Sequence, residues 1–404
     1  MQILQTVLLY VIPFVLVLGV VVTIHELGHF LAAKALGTKI DRFAIGFGRA
    51  IFSWNDKDGV EWRIGWAPIG GYVRFAGDDN AASIPDADDL DSMRRDLIER
   101  GRGAEISRYF HFKPLWQRAV IVAAGPMANF ALAIAIFAIL FSAFGEYVLP
   151  PRVAAVTLGS PAAAAGFRTG DLIVRIDGRE IRRFDEVQQL VTVRANVPMT
   201  FVVDRGGSEV TLVATPRWDI RDDRVAGRQR VGAIGISPVQ AREDYVQVRY
   251  GPIEAVGRGV ERTWDTLTTT IYYLGRMITG QVHADELRGP LGIASATKNI
   301  AAISAEGTSG PLEALGMMSL NLVQIVAFIS VSIGFMNLLP VPVLDGGHLM
   351  FYAYEAVARR PLAAKVQAAG YRVGLALVLG LMLFATWNDL QRLRVFNLFD
   401  GLFS

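Results

Sequence analysis

The amino-acid sequence predicts a polytopic α-helical membrane protein with four transmembrane helices, a membrane-associated β-hairpin and one compact β-rich domain. Three observations lead to this fold class. Hydrophobic residues make up 52% of the 404 residues, and the mean hydropathy is +0.35, both high for a water-soluble chain. Four stretches are apolar enough to cross a bilayer, which takes about 20 residues. Two of the segments between them instead show strand patterns bounded by turn residues.

The four predicted spans cover residues 1–36, 116–146, 313–346 and 371–390. The first has no charged side chain from Gln2 to Ile24. It also lacks basic residues before the apolar run and a small-residue cleavage site, so we expect a retained span rather than a cleaved signal peptide. The last span is short, and Tyr371 and Trp387 are its expected interfacial anchors.

Basic residues near the ends of the spans predict the orientation. They concentrate in the segments 37–115 and 347–370, which are therefore expected to be cytoplasmic, with both termini outside. Arg392 and Arg394, in the tail 391–404, argue mildly for the opposite orientation.

The first cytoplasmic segment, 37–115, contains the predicted hairpin. Apolar residues alternate with small or polar ones near Phe43–Phe47 and again over Val60–Trp66, with turn residues at 55–59 between them. Residues 70–75 can add a further strand. The aromatic content favours a hairpin that enters the membrane, where backbone groups need partners within the protein. The alternative is a small cytosolic sheet.

Residues 150–237 predict a compact extracytoplasmic domain of short strands and two helices, followed by a linker or amphipathic region at 238–312. The domain resembles a PDZ domain of the bacterial, permuted type. The resemblance lies in the signature from Ser160 through Gly166 to Gly170-Asp171 and Asp177-Gly178, and residues 231–237 are expected to supply the last strand.

Composition excludes several classes of function. A net charge of +2 gives no reason to expect nucleic acid as a partner. The absence of cysteine excludes disulfides and thiolate-ligated metals. Five histidines are too few for a histidine-rich membrane di-iron site.

The first span carries the pattern His25-Glu26-Leu27-Gly28-His29. On a helix the two imidazoles leave the same face one turn apart and can share one tetrahedral zinc ion. Glu26 then lies beside the metal, where it can take a proton from the attacking water. A chance occurrence of the pattern is the alternative. Each ionisable group within a span costs about 2.5–3.5 kcal/mol on insertion scales. Three such groups in about one helical turn would be strongly disfavoured unless they share a ligand, so the position within a span favours a metal site.

A catalytic zinc site uses three protein ligands, and Asp345 is the only acid near the membranous part of the third span. Pro340, Pro342 and the two glycines after Asp345 would break the helix and turn the carboxylate toward the metal. The alternatives are an ordinary Asp-Gly-Gly turn, or His348 as a competing ligand. Asn129 and Asn337 are polar groups inside spans, and they serve either as contacts between helices or as substrate-binding groups.

Most of the chain resembles the site-2 intramembrane zinc metalloproteases, in the bacterial branch typified by the regulator of sigma-E protease. The matching motifs are the H-E-x-x-H of the first span, Lys113 to Asn129, the PDZ segment, Gly289 to Ala294, and Asn337 to Gly346. The resemblance implies His25, His29 and Asp345 as zinc ligands and Glu26 as the base. Two departures are the single PDZ domain and Ser332 where some members have asparagine.

The resemblance also implies a function in regulated intramembrane proteolysis of a stress response, in a bacterial inner membrane. The active site would lie near the cytoplasmic side and the PDZ domain in the periplasm. Substrates would be single-span proteins such as anti-sigma factors, already trimmed outside by a site-1 protease. Gly70, Gly71, Tyr72 and Val73 would offer a free strand edge to the opened substrate segment, with Asn337 on its far side. The alternatives are a catalytically silent membrane PDZ scaffold and a zinc transporter.

Overall fold

The computed structural model describes residues 12–77, 87–223, 227–238, 245–279 and 310–392. Contacts divide the chain into two units, Met1–Ile136 with Leu287–Ser404, and Phe137–Glu286. The motif at 289–294, the parts 239–244 and 280–309 of the predicted linker 238–312, and nearly all of the tail 391–404 lie outside the described residues.

Four helices are long and apolar enough to cross a membrane, as predicted. They are α1 (Ile12–Ala35), α3 (Leu115–Phe144), α7 (Pro311–Leu338) and α9 (Ala364–Arg392). In the first unit α1 and α7 pack through a cluster that contains Val17, Val21 and Val326. Helix α9 is longer than the predicted span 371–390, because Lys365 and Arg372 lie within the helix and do not end it.

The structure divides the predicted segment 313–346 at the prolines that were predicted to break the helix. Helix α7 ends at Leu338, and a separate helix α8 (Asp345–Ala358) begins seven residues later, near the end of the predicted span, and continues into the predicted loop 347–370. Pro340 and Pro342 lie in the break, and proline removes a helical N–H and crowds the preceding turn. Asp345 is therefore the first residue of a helix rather than the end of a span.

The predicted hairpin and its added strand are both present in the first unit. Strand β1 (Ile40–Asn55) pairs antiparallel with β2 (Glu61–Phe75), and β2 bends so that it covers both edges of β1. Phe43, for example, lies opposite Trp62 on one side and Val73 on the other. Gly70, with φ of 104°, allows the bend. The segment that ends at Phe75 is thus an edge strand, paired with β1 on one side.

The sheet packs on α1 through aromatic contacts, because Phe30 lies against both Phe43 and Trp62. The far end of the hairpin is apolar and uncovered: Ile51 is 71% exposed, Phe52 60% and Trp66 66%. Past the sheet, α2 (Ala87–Glu99) and short 3₁₀ turns at Gly103–Arg108 and Phe110–Phe112 lead to α3.

The second unit is a small α/β domain with a four-stranded antiparallel sheet in the order β6-β5-β7-β8. Its core is apolar and includes Val153, Ile173, Met199, Phe201 and Val203. The elements are β3 (Glu146–Val148), β4 (Val153–Val156), α4 (Pro161–Ala165), β5 (Leu172–Ile176), β6 (Arg179–Glu180), α5 (Phe184–Thr192), β7 (Met199–Arg205), β8 (Ser208–Ala214), β9 (Arg217–Asp223), β10 (Gly227–Ala233), β11 (Ile236–Pro238), β12 (Val246–Val248) and α6 (Pro252–Ile278).

The predicted last strand, 231–237, is split in the structure. Residues up to Ala233 belong to β10, which pairs with β9, and β11 pairs with β4. Gly235, with φ of 81°, separates the two strands. The start of α4 matches the prediction, since the Ser160 hydroxyl accepts a hydrogen bond from the Ala163 amide at 3.2 Å.

A half-buried carboxylate, that of Glu146, joins three segments of the second unit. It accepts hydrogen bonds from Arg183 at 2.7 Å, from Arg258 at 2.9 Å and from the Tyr250 hydroxyl at 3.2 Å. Burial, together with the charge of Glu146, raises the pKa of Tyr250 to about 12. Removal of Glu146 would leave two buried guanidinium groups without this partner, which is strongly destabilising in general.

Candidate metal centre

Three predicted ligands converge in the first unit. The Nε2 atoms of His25 and His29 lie 3.2 Å apart. Asp345 Oδ2 lies 3.1 Å from His25 Nε2 and 3.4 Å from His29 Nε2. Within the described residues, these three side chains form the one group of histidines and acids close enough to share a metal ion.

The spacing of the three atoms fits zinc. Ligands about 2.0–2.1 Å from a tetrahedral ion lie about 3.3 Å from one another, close to the distances found here. Asp345 Oδ2 is buried, and among the residues that the structure describes it has no hydrogen-bond partner. A buried carboxylate oxygen without a donor is costly unless a cation faces it, so the arrangement fits a bound cation.

Helix α8 sets the position of Asp345. As the first helical residue it lies at the positive end of the helix dipole, which favours an ionised carboxylate. The two glycines that follow are required by close packing. A Cβ on Gly346 would lie 2.3 Å from the carbonyl oxygens of Leu338 and Leu339, and one on Gly347 would lie 2.3 Å from that of Val341.

Helix α3 presents three groups to the histidines at successive turns: the Ile121 carbonyl, Gly125 and Asn129. His29 Nδ1 lies 2.9 Å from the Ile121 carbonyl oxygen and donates to it. Pro126 has no N–H for the carbonyl four residues earlier, that of Val122, and its ring crowds that turn. The Ile121 carbonyl oxygen has two lone pairs, so it can accept a hydrogen bond from His29. Donation from Nδ1 fixes the tautomer that leaves the His29 Nε2 lone pair for a metal.

Gly125 gives the His29 ring its space. A Cβ at this position would lie 2.3 Å from His29 Nε2, well inside any contact that real side chains make. One turn away, Gly28 on α1 lies against Ala124 and Ala128 of α3, so the two helices approach closely.

Asn129 makes a contact between helices, one of the two roles predicted for it. Its side chain is completely buried, and its amide nitrogen lies 3.3 Å from His25 Nδ1. The amide group therefore faces a metal-ligand candidate on a neighbouring helix. The sequence placed this asparagine in a span but gave no information on which helix it would meet.

A cavity of about 640 Å³ opens beside the three ligands. Glu26, Asn337 and the edge-strand residues Gly70, Gly71, Tyr72 and Val73 all line it, so the structure brings these predicted residues together. Gly71 allows the close approach, since a Cβ there would lie 3.0 Å from Glu26 Cγ. The Val73 backbone N–H donates to the Glu26 carboxylate. The edge strand and the predicted base are therefore in direct contact.

Comparison with known proteins agrees with the candidate metal site. The model of peptidase family M50 matches residues 13–381. The chain belongs to peptidase family M50. Metalloprotease MmpA of Caulobacter vibrioides is 49% identical over 400 residues, which cover 98% of this chain and 99% of that protein. A putative zinc metalloprotease of Agrobacterium fabrum is 42% identical over 384 residues, 95% of this chain and 96% of that protein.

Among solved structures, the PDZ domain of an SdrC-like protein from Listeria monocytogenes matches with a TM-score of 0.19 and 22% identity. It covers 23% of this chain and 90% of that one. A score this low does not establish a shared fold. The family match does confirm the predicted enzyme class: this M50 chain is a metalloprotease of the site-2 type.

Two basic residues of the M50 chain anchor the segments around the site. Lys113 Nζ donates to the carbonyl of Leu36, just past the end of α1, at 2.7 Å, and burial lowers the pKa of Lys113. Arg118 pairs with Glu355 on α8 at 2.6 Å and lies over the ring of Tyr352. These contacts fix the ends of the helices that carry the three ligands.

The remaining polar candidates are accounted for by the structure. His348 lines the cavity but is not one of the three converging groups. The Ser332 hydroxyl donates to the Phe328 carbonyl of its own helix at 3.0 Å. Sequence reasoning missed Gly125 and the Ile121 carbonyl. The Gly-Pro pair within a span was the available signal, since both residues weaken a helix.

Proposed function

We propose that this chain is an intramembrane zinc endopeptidase that cuts the membrane-spanning segments of single-span proteins. The observation that carries the proposal is the position of the ligands. His25 and His29 belong to a helix long and apolar enough to cross a membrane, and Asp345 meets them beside a cavity lined by Glu26. Relatives named as zinc metalloproteases support zinc as the ion.

Zinc held by His25, His29 and Asp345 would supply Lewis acidity to the scissile carbonyl and lower the pKa of the attacking water. The protein's own groups supply the proton transfer, the orientation of the base and the binding of the substrate. Glu26 accepts the proton of the attacking water and delivers it to the leaving amine. Val73 holds the Glu26 carboxylate through its backbone amide, which limits the orientations of the base. Asn337, on the cavity wall, is positioned to bind the substrate backbone or the developing oxyanion.

A substrate helix must open before it is cut, because each carbonyl in a helix is bonded to an amide four residues on. Opening in lipid leaves polar groups unpaired, at a cost of several kcal/mol each. The edge strand 70–75 supplies partners by strand addition. Val73 lies opposite Phe43 and Gly71 opposite Ile45 in the pairing with β1, and the Val73 amide points to Glu26 rather than into that pairing.

Proline variants test strand addition. We expect Tyr72→Pro and Val73→Pro to reduce cleavage of a model span at least tenfold while zinc content stays normal. Tyr72→Ala and Val73→Ala keep the backbone N–H and serve as matched controls. Wild-type cleavage rates in both proline variants would contradict the mechanism.

The proposed substrates are anti-sigma factors and similar proteins that a site-1 protease has first trimmed outside the membrane, within regulated intramembrane proteolysis of a stress response. We place the protein in a bacterial inner membrane, with the active site toward the cytoplasm and the second unit, as a PDZ-type domain, in the periplasm. The basic residues in 37–115 and 347–370 support this orientation.

Two other functions are less well supported. A silent scaffold would have no need of a carboxylate beside the three ligands, yet Glu26 lines the cavity. A zinc transporter needs metal-binding groups along a path through several helices, whereas the described part of the chain has one such group, at one depth.

The decisive experiment combines metal analysis with cleavage of a model span by purified protein. We expect the wild type to hold one zinc ion and to cut the span. Glu26→Gln should hold zinc near stoichiometry and lose cleavage by at least a hundredfold, because a base is removed and no ligand is changed. Loss of zinc in Glu26→Gln equal to that in His29→Ala would contradict the assigned role.

A further inference from the structure

The two histidines of the metal centre are held by different kinds of group. His29 Nδ1 meets a backbone carbonyl, that of Ile121, which can only accept a hydrogen bond. His25 Nδ1 meets the side-chain amide of Asn129, which can either donate through nitrogen or accept through oxygen. The nitrogen and oxygen of an amide differ little in shape, so the hydrogen-bond partners must decide which of them faces His25.

The role of the other ring nitrogen of His25, Nε2, decides which end of the Asn129 amide faces Nδ1. The Nε2 atoms of both histidines face Asp345 and each other, so Nε2 is the atom that would bind zinc. A neutral imidazole that binds through Nε2 carries its proton on Nδ1. His25 Nδ1 is then a donor and needs an acceptor, as His29 Nδ1 has.

The Asn129 oxygen is the available acceptor. The Asn129 side chain is completely buried. With its nitrogen directed at His25, its Oδ1 has no hydrogen-bond partner within the described part of the chain. Rotation of the amide by a half-turn removes that unsatisfied oxygen and places it against the Nδ1–H of His25. The backbone of Asn129 is itself held, because its carbonyl accepts from the Ser330 hydroxyl on α7 at 2.8 Å.

We infer that Asn129 Oδ1 accepts the Nδ1–H of His25, and that Asn129 is a positioning residue which fixes the tautomer and ring orientation of this zinc ligand. It acts through His25 and does not touch the substrate. The inference rests on the proposed function, in which His25 binds zinc, and it adds Asn129 as a residue that the metal site requires.

Zinc affinity, measured by competition with a chelator, tests the inference in the full-length detergent-solubilised protein. Asn129→Leu has a similar volume and no acceptor, and it should lose 10–100-fold in zinc affinity, as expected when an outer hydrogen bond to a histidine ligand is removed. Asn129→Asp can only accept, and it should stay within about threefold of the wild type. An amide that donated instead would make Asp as harmful as Leu, and that result would overturn the inference.

Two further measurements separate positioning from packing. Ser330→Ala removes the bond to the Asn129 backbone but leaves the side-chain contact, and its zinc affinity should equal that of the wild type. An equal loss in Ser330→Ala and Asn129→Leu would overturn the inference. In zinc-loaded protein with ¹⁵N-labelled histidine, His25 Nδ1 should show a bonded proton, and its absence would also refute the assignment. If the wild type itself binds no zinc, the proposed function fails, whereas wild-type affinity in Asn129→Leu contradicts the positioning role alone.

Discussion

Gly125→Ala is the sharpest test of the contact between α1 and α3. The added Cβ would lie 2.3 Å from His29 Nε2, whereas ordinary van der Waals contact begins near 3.4 Å. The imidazole must therefore move by about 1 Å. Productive metal–ligand distances tolerate about 0.2 Å, so His29 would no longer hold the ion together with His25 and Asp345. We expect zinc affinity to fall at least 100-fold, or about 2.8 kcal/mol at 1.4 kcal/mol per tenfold.

The assay is zinc affinity by chelator competition, followed by cleavage of a model span at saturating zinc. Gly19→Ala is the matched control, because it adds the same methyl group to α1, and a Cβ there meets nothing within 4 Å. The control should bind zinc and cleave as the wild type does. Wild-type zinc affinity in Gly125→Ala would refute the argument that this glycine makes room for a ligand.

Three other predictions follow from the same structure. Asp345→Asn should lower zinc affinity and cleavage together, as measured by metal analysis and the span assay, and normal values of both would remove Asp345 from the metal site. Deletion of residues 151–237 should allow cleavage of untrimmed substrates, and unchanged selectivity for trimmed ones would show that the domain is a docking module instead of a size filter. Tyr250, with its pKa raised to about 12, keeps its proton in the folded state while the unfolded chain loses it near pH 10, so stability should fall as pH rises from about 10 to 12. Tyr250→Phe should lose that part of the pH dependence in thermal unfolding curves, and an unchanged profile would contradict the shift.

The sequence was most informative where a local pattern determines the structure. The four-residue spacing of His25 and His29 places both rings on one helical face in any context. Alternating apolar residues around Phe43 and Trp62 likewise predicted the hairpin, and Ser160 before a proline predicted the start of a helix. In each case the residues that carry the signal are neighbours in the chain.

The rest depends on contacts between distant segments. The Ile121 carbonyl is a backbone group, which every residue type has, so the residue at position 121 does not indicate this role. The sequence left two roles open for Asn129, because its neighbour His25 lies 104 residues earlier in the chain. Pro340 and Pro342 predicted the break between Leu338 and Asp345, but not the new helix that begins at Asp345, since that helix is positioned by packing against Leu338, Leu339 and Val341.

The order in which the ligands leave the ribosome has a consequence for the cell. His25 and His29 are synthesised near the start of the chain, and Asp345 follows roughly 300 residues later, which takes on the order of 15–60 s at the usual rates of translation. During that interval the growing chain lies among other membrane proteins with an incomplete zinc site. With the proposed ligand set, zinc binding by all three ligands requires Asp345, so a chain that ended before it would lack the third ligand.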